Sequence, residues 1–110
     1  PVEAVVPAHG SVVIDTGVHV EIPEGYVGML KSKSGLNVKH NIIGEGVIDA
    51  LYTGSIKVKL YNLGDTDYQI LRGDKIIQMV ILPCTHCEFT QVEKFAETER
   101  GDGGFGSTGR

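Results

Sequence analysis

Alternation of apolar and polar positions, without a sustained helical repeat, is the main pattern along the chain. Between residues 56 and 61, an apolar side chain at every second position alternates with Lys57, Lys59 and Tyr61. Residues 18–22 have the same period. A period of two places successive side chains on opposite faces of a β-strand. We therefore expect strands at residues 2–6, 11–22, 26–31, 38–43, 46–49, 55–62, 67–71, 75–82 and 88–92.

Turn-forming sequences separate these segments, among them Pro-Glu-Gly at 23–25 and Arg-Gly-Asp at 72–74. Many short strands at this spacing are typical of an all-β sandwich, barrel or jelly roll. Residues 75–82 are almost entirely apolar, so we expect that strand to be covered on both faces. Gln78 interrupts it, and a buried amide is costly unless it is hydrogen-bonded. Gln78 should therefore have a partner or face a site.

The length of 110 residues and the mass of 11.8 kDa suit one domain. Residues 98–110 contain one large apolar side chain, so we expect a domain over residues 1–97 and then a C-terminal arm. The formal net charge, 10 − 14 = −4, argues against bulk binding of nucleic acid. No apolar run reaches the roughly 20 residues of a membrane span, so no membrane partner is expected. Cys84 and Cys87 are too few for a disulfide scaffold, which favours a reducing, cytoplasmic location.

Two segments carry candidate chemistry near the middle of the chain. In residues 46–54 (GVIDALYTG), Asp49 ends an apolar run and Tyr52 follows beside a turn. The carboxylate could orient a water as general base, and the ring could lie under a base or a sugar. The alternative is a turn-forming Asp and a packed Tyr. Residues 31–36 (KSKSGL) combine two Lys and two Ser, which suits an anionic ligand or simply a solvated basic turn.

Two further segments lie towards the C-terminus. In residues 101–106 (GDGGFG), closely spaced glycines could wrap phosphate oxygens with backbone N–H groups, and Phe105 could stack on a base. The alternative is a disordered, solvating tail. Cys84, His86 and Cys87 could suggest zinc, but a structural zinc site needs four ligands. We therefore interpret the two cysteines as ordinary reduced thiols.

Taken in this order, the segments resemble four of the five motifs of the trimeric dUTPase family. Residues 32–36 (SKSGL) resemble the second motif, residues 46–54 the third, residues 73–79 (GDKIIQM) the fourth and residues 100–109 (RGDGGFGSTG) the fifth. The resemblance implies a jelly-roll-like distorted barrel and a homotrimer with its sites between subunits. It also implies hydrolysis of dUTP to dUMP and pyrophosphate by water attack on the α-phosphate, which keeps uracil out of DNA.

The resemblance further implies a role for each candidate residue. Asp49 would activate the water, and Tyr52 would pack on the deoxyribose and exclude a 2′-hydroxyl. Backbone groups beside them would read the edge of the uracil. Mg²⁺ would arrive with the triphosphate rather than in a protein cage. The arm would close over a neighbouring subunit's nucleotide. The implied substrate-binding residues are Lys33, Ser34, Gly35, Gly46, Val47, Ile48, Tyr52, Gln78, Arg100, Gly104, Phe105, Gly106, Ser107 and Thr108.

Three departures from the family pattern matter. The first motif, an AGYDL-like segment, is not within the 110 residues, and we expect it just ahead of Pro1 in a longer or processed parent. Lys33 stands where the family usually has Arg, which keeps the charge and loses the bidentate fork. Leu51 stands where many members carry an acidic residue.

Two other functions are weighed against dUTP hydrolysis. One is a catalytically weak, dUTP-gated module of the phage type that binds a regulatory protein partner. The missing first motif favours it, whereas Asp49, Tyr52 and the fifth motif oppose it. The other is a dCTP deaminase of similar fold, which would not need the Gly-Phe-Gly arm.

Overall fold

The computed structural model describes residues 3–96 and Gly101. Within this part, short strands follow one another with a single helical interruption. The elements are β1 (Ala4–Val6), β2 (Ser11–Asp15), β3 (Tyr26–Ser32), α1 (Ser34–His40), β4 (Ile42–Ile48), β5 (Lys57–Asn62), β6 (Tyr68–Ile70) and β7 (Ile77–Pro83). The expected arm lies outside the described residues, apart from Gly101.

The strands form two antiparallel sheets. The larger sheet has five strands in the order β2-β5-β4-β3-β7, and the smaller pairs β1 with β6. The expectation of an all-β fold class is therefore confirmed. β3 lies between β4 and β7, so residues at the ends of these three strands define two opposite edges of the sheet.

The core follows from the alternation seen in the sequence. Along β5, exposed and buried residues alternate without a break, and Val58 and Leu60 are fully buried. Apolar residues from β1, β2, β3, β4 and β6, and from the loops at Ile22 and Ile56, join them. The buried hydrophobic residues are Val6, Ile14, Ile22, Leu30, Ile42, Ile48, Ile56, Val58, Leu60 and Ile70.

A buried asparagine ties three segments together within this core. Asn62, at the end of β5, donates from Nδ2 to the carbonyl oxygens of Val6, at 3.0 Å, and Thr66, at 2.8 Å. Its Oδ1 accepts from the backbone N–H of Gly64 at 2.9 Å. All of its side-chain polar atoms thus have partners, as burial of an amide requires.

Three of the expected strand positions are wrong. Residues 38–40 belong to α1. Leu36 of this helix packs against the core, whereas Val38 is exposed to solvent. The helix ends at Asn41, which adopts a left-handed φ of 59°. Residues 16–22 run beside the loop between β4 and β5 without forming a strand. Residues 88–92 are exposed and form no strand.

The expectation for the apolar segment 75–82 is also corrected. β7 is the edge strand of its sheet, and within one chain Val80, Ile81 and Leu82 remain 41–49% exposed. Gln78 is exposed rather than buried, although its amide does have a protein partner. An apolar edge left open in one chain is typical of a surface that another chain covers.

Candidate functional site

The first group of candidate residues lies where β3 ends. Lys33 follows β3 directly and precedes α1, which begins with Ser34 and Gly35. Gln78 of β7 lies opposite the last residues of β3, and its Nε2 donates to the carbonyl oxygen of Ser32 at 2.8 Å. The fold therefore brings together Lys33, Ser34, Gly35 and Gln78, which we call the cationic group.

The chemistry of the cationic group suits an anion. It combines an ammonium, a hydroxyl and an amide with the first backbone N–H groups of α1, which have no partner within the helix. Lys33 is half-buried and Ser34 is exposed. Lys31, the other basic residue of this segment, is paired with Glu45 at 2.9 Å. Of the two lysines, Lys33 is therefore the one that has no acidic partner within the described residues.

The second group lies on the loop between β4 and β5. We call residues 49–56 the site loop. Asp49 is its first residue and is exposed, and its carboxylate has no hydrogen-bond partner in the part of the chain that the structure describes. The backbone N–H of Tyr52 donates to the carbonyl of Asp49 at 3.2 Å, which closes a tight turn. An exposed carboxylate at the start of a turn is accessible to a water molecule or a substrate.

The turn explains the residue type expected at position 51. Leu51 has a φ of 68°, in the left-handed region that Asn, Asp and Gly tolerate better than other residues. The acidic residue that many dUTPases carry there thus fits the conformation of this turn. Leu51 is a costlier choice for the same backbone.

The Tyr52 ring is fixed by contacts within the site loop. Its hydroxyl donates to the carbonyl of Ser55 at 2.9 Å. The ring lies against Gly54 so closely that a Cβ at that position would come within 2.5 Å of the Tyr52 hydroxyl oxygen. A glycine is therefore required at position 54 for this ring position.

A neighbouring segment holds the site loop in place. We call residues 15–22 the bracing segment. Backbone hydrogen bonds join Leu51 N–H to the carbonyl of Ile22 at 2.9 Å and Ile56 N–H to the carbonyl of Val18 at 2.8 Å. Between these two points, the Nδ1 atom of His19 lies 2.8 Å from the carbonyl oxygen of Thr53.

Asp15, the first residue of the bracing segment, also bonds to the site loop through its carboxylate. The hydroxyl of Ser55 donates to the carboxylate of Asp15 in a short hydrogen bond, and the N–H of Gly17 donates to the same carboxylate at 3.1 Å. These bonds stabilise the ionised form, the Ser55 bond most, so they lower the pKa of Asp15 below its usual value. Sequence reasoning missed Asp15, His19 and Ser55. The only signal for Asp15 and His19 was the alternation that suggested a strand as far as residue 22.

The end of β4 presents an open backbone edge. Gly46, Val47 and Ile48 pair with β3 on one side, but only residues 42–44 pair with β5 on the other. From residue 45 to residue 48, the β5 side of the strand has no strand partner within the described residues. The N–H and C=O groups on that side of the strand can therefore form hydrogen bonds with the edge of a planar ligand.

The two groups lie far apart within one chain. Gly28 pairs with Ile48, so Asp49 lies level with Val27, whereas Lys33 follows the opposite end of β3. Six residues of a strand span about 20 Å. One chain therefore brings the cationic group together, and Asp49 with Tyr52, but it does not bring the two groups to each other.

Several expected site residues lie outside the described residues: Arg100, Gly104, Phe105, Gly106, Ser107 and Thr108. Within residues 3–96 and Gly101, no group of three or more His, Cys, Asp or Glu side chains is placed to hold a metal ion. Cys84 and Cys87 are both exposed and free. No helix in this part of the chain is long and apolar enough to cross a membrane.

Comparison with known proteins gives concordant results. The dUTPase family model matches residues 1–109. A deoxyuridine 5′-triphosphate nucleotidohydrolase from Oryza sativa subsp. japonica is 46% identical over 108 residues, which cover 97% of this chain and 63% of that protein. The protein of the same name from Candida albicans is 43% identical over 110 residues, covering 97% of this chain and 69% of its own length. The chain thus spans just under two thirds of the rice relative.

Solved structures share the jelly-roll-like fold. The dUTPase of Staphylococcus bacteriophage 80alpha, solved with dUPNHPP, has a TM-score of 0.82 and 36% identity over 98% of this chain and 81% of its own. A mutant dUTPase from phage phi11 of S. aureus, with a coordinated structural Mg(II) ion, has a TM-score of 0.79 and 32% identity. That match covers 87% of this chain and 80% of the phage chain.

Proposed function

This chain belongs to the dUTPase family, and we propose that it hydrolyses dUTP to dUMP and pyrophosphate by water attack on the α-phosphate. The observation that carries the proposal is the site loop, which presents the carboxylate of Asp49, without a partner among the described residues, beside the fixed ring of Tyr52. A general base and a flat contact for a nucleoside are then only three residues apart.

Asp49 supplies the base for the attacking water. Its carboxylate accepts a proton from the water as the oxygen bonds to the α-phosphorus, and the bond to the β-phosphate oxygen breaks. Tyr52 packs on the deoxyribose, where its fixed ring leaves no room for a 2′-hydroxyl. The open edge of β4 at Gly46, Val47 and Ile48 hydrogen-bonds the uracil in place of a pairing base.

The cationic group binds the phosphates. Lys33 neutralises charge on the triphosphate, and Ser34, the N–H of Gly35 and the amide of Gln78 donate to its oxygens. We propose that Mg²⁺ would enter with the triphosphate of the substrate. When bound, the ion offsets charge on the leaving pyrophosphate.

A complete site requires more than one copy of the chain. Asp49 and the cationic group must reach the same triphosphate, yet about 20 Å of β3 separates them. A homotrimer with its sites between subunits meets this requirement. The open apolar edge of β7 and the side chains of Phe89 and Phe95, 99% and 85% exposed, support such an assembly. The chain is also less compact than a typical single domain, which is in keeping with an assembly: its Cα radius of gyration is 19.1 Å, against roughly 13 Å for a compact chain of this length.

The proposal gives residues 98–110 the role of a closing arm. Arg100, Ser107 and Thr108 would bind phosphates, and Phe105 would stack on the uracil between Gly104 and Gly106. A closing arm excludes water and completes a site, as lids do in other enzymes. We further propose a cytoplasmic location, in keeping with two free, exposed thiols.

The direct test measures pyrophosphate release with Mg²⁺ from dUTP, dCTP, dTTP and UTP. We expect release from dUTP alone, and Asp49→Asn should abolish it while leaving dUTP binding intact. Asp65→Asn is the matched control, since Asp65 is an exposed aspartate whose ion pair in the described part of the chain is with His9. No release from dUTP by the parent chain, or full release by Asp49→Asn, would contradict the proposal.

A further inference from the structure

Within the described residues, His19 makes the only side-chain hydrogen bond from the bracing segment to residues 52–54, the tip of the site loop. We propose that His19 is a positioning residue that fixes this tip and thereby sets the discrimination between a deoxyribonucleotide and a ribonucleotide. The inference rests on the proposed function, because it assigns the discrimination to Tyr52.

The geometry defines the contact. The Nδ1 atom of His19 lies 2.8 Å from the carbonyl oxygen of Thr53. A carbonyl oxygen only accepts, so Nδ1 carries the proton and donates. His19 is exposed, so no burial in the core holds the ring in place. This hydrogen bond therefore fixes the His19 ring, and it restrains the Thr53 carbonyl from outside the site loop.

The rest of the tip depends on this restraint. Hydrogen bonds to Ile22 and Val18 hold the loop at Leu51 and Ile56. Hydrogen bonds with Asp15 and Gly17 hold it at Ser55. From residue 52 to residue 54, the remaining hydrogen bonds in the described structure stay within the site loop itself. Without His19, residues 52–54 are held, within the described part of the chain, only by hydrogen bonds to Asp49 and Ser55 of the same loop, so the tip can shift while both ends remain attached.

A shift of the tip has a specific consequence. Thr53 adjoins Tyr52, so movement of the Thr53 carbonyl moves the ring that borders position 2′ of the sugar. Misplacement of a positioning group by about 1 Å can cost up to 100-fold in rate. The ring then admits a 2′-hydroxyl more readily. We expect the ratio of kcat/KM for dUTP to that for UTP to fall by about tenfold.

Three substitutions separate the hydrogen bond from the bulk of the side chain. His19→Leu fills a similar volume without a donor. His19→Asn restores an N–H donor attached to Cγ, as Nδ1 is in His. Glu21→Gln is the matched control, since Glu21 is exposed on the same segment and makes no side-chain hydrogen bond within the described residues. Oligomeric state and Tm should be unchanged in all three.

The first readout is the dUTP-to-UTP ratio of kcat/KM. We expect His19→Leu to lower it about tenfold, and His19→Asn and Glu21→Gln to stay within about twofold of the parent. An unchanged ratio in His19→Leu would overturn the inference. So would a defect in His19→Asn as large as that in His19→Leu, because the hydrogen bond would then not be the cause.

The second readout does not depend on activity. Hydrogen exchange at the amides of residues 50–54 should accelerate in His19→Leu and return towards the parent rate in His19→Asn. Equal exchange in the parent and His19→Leu would refute the anchor, whatever the kinetics. If the parent released no pyrophosphate from dUTP, the proposed function would fail, and the exchange rates would still decide whether His19 holds the loop.

Discussion

Replacement of Asn62 by Ala should destabilise the fold more than any surface substitution. Asn62 is 1% exposed, and its amide makes three hydrogen bonds, to Val6, Thr66 and Gly64. These bonds link β1, the end of β5 and the turn that follows it. Alanine removes all three bonds and leaves the carbonyl of fully buried Val6 without this donor.

The size of the effect follows from the number of bonds. A hydrogen bond contributes about 1 kcal/mol net, and a buried polar group left unpaired costs about 1–3 kcal/mol. Three lost bonds therefore lower the free energy of unfolding by about 3 kcal/mol or slightly more. Domains of this kind have about 5–15 kcal/mol in total, so the loss is a large share.

Urea denaturation followed by circular dichroism measures this effect. With a slope of about 1–3 kcal/mol/M, the midpoint should fall by about 1–3 M. All samples need the same protein concentration, because the stability of an oligomer depends on it. Asn37→Ala is the matched control, since Asn37 is exposed on α1, and it should change the free energy by less than about 0.5 kcal/mol. A loss below about 1 kcal/mol in Asn62→Ala would refute the reasoning.

Three further substitutions probe the site loop. Gly54→Ala should push the Tyr52 ring aside and lower the dUTP-to-UTP ratio of kcat/KM about tenfold, while the Tm stays unchanged. An unchanged ratio would show that the ring tolerates the added carbon. Leu51→Asn should raise stability by about 0.5 kcal/mol, since Asn tolerates the left-handed φ, and a lower Tm would contradict this. The lowered pKa of Asp15 contributes stability above about pH 4, which is lost as the pH falls through the folded-state pKa. The Tm difference between parent and Asp15→Asn should therefore shrink from pH 6 to pH 3, and a constant difference would speak against the bond to Ser55.

The period-two pattern predicted the strands well where a strand pairs within its own chain. β5 alternates without exception, and the expected inward positions are the buried ones. The pattern missed α1 because six of its seven residues are exposed and only Leu36 packs against the core, which gives no helical period. It also implied cover for β7, whose apolar side chains stay partly exposed in one chain and would be covered in the proposed assembly.

The candidate site divides in the same way. Asp49 and Tyr52 lie three residues apart, so a local motif could find them. The residues that brace the site loop could not be found locally, since His19 contacts Thr53 across 34 positions and Asp15 contacts Ser55 across 40. Such contacts become visible only once the segments have folded together.

Complementation between inactive variants tests most directly whether copies of the chain share the proposed dUTP site. One variant carries Asp49→Asn, and the other carries Ser34→Ala with Gln78→Ala. Each should be inactive alone as a homo-oligomer. Unfolding and refolding the two together should restore pyrophosphate release to about a quarter of the parent rate, because random mixing gives that share of interfaces two intact halves. No recovery in mixed oligomers that do form would contradict a site built from two copies.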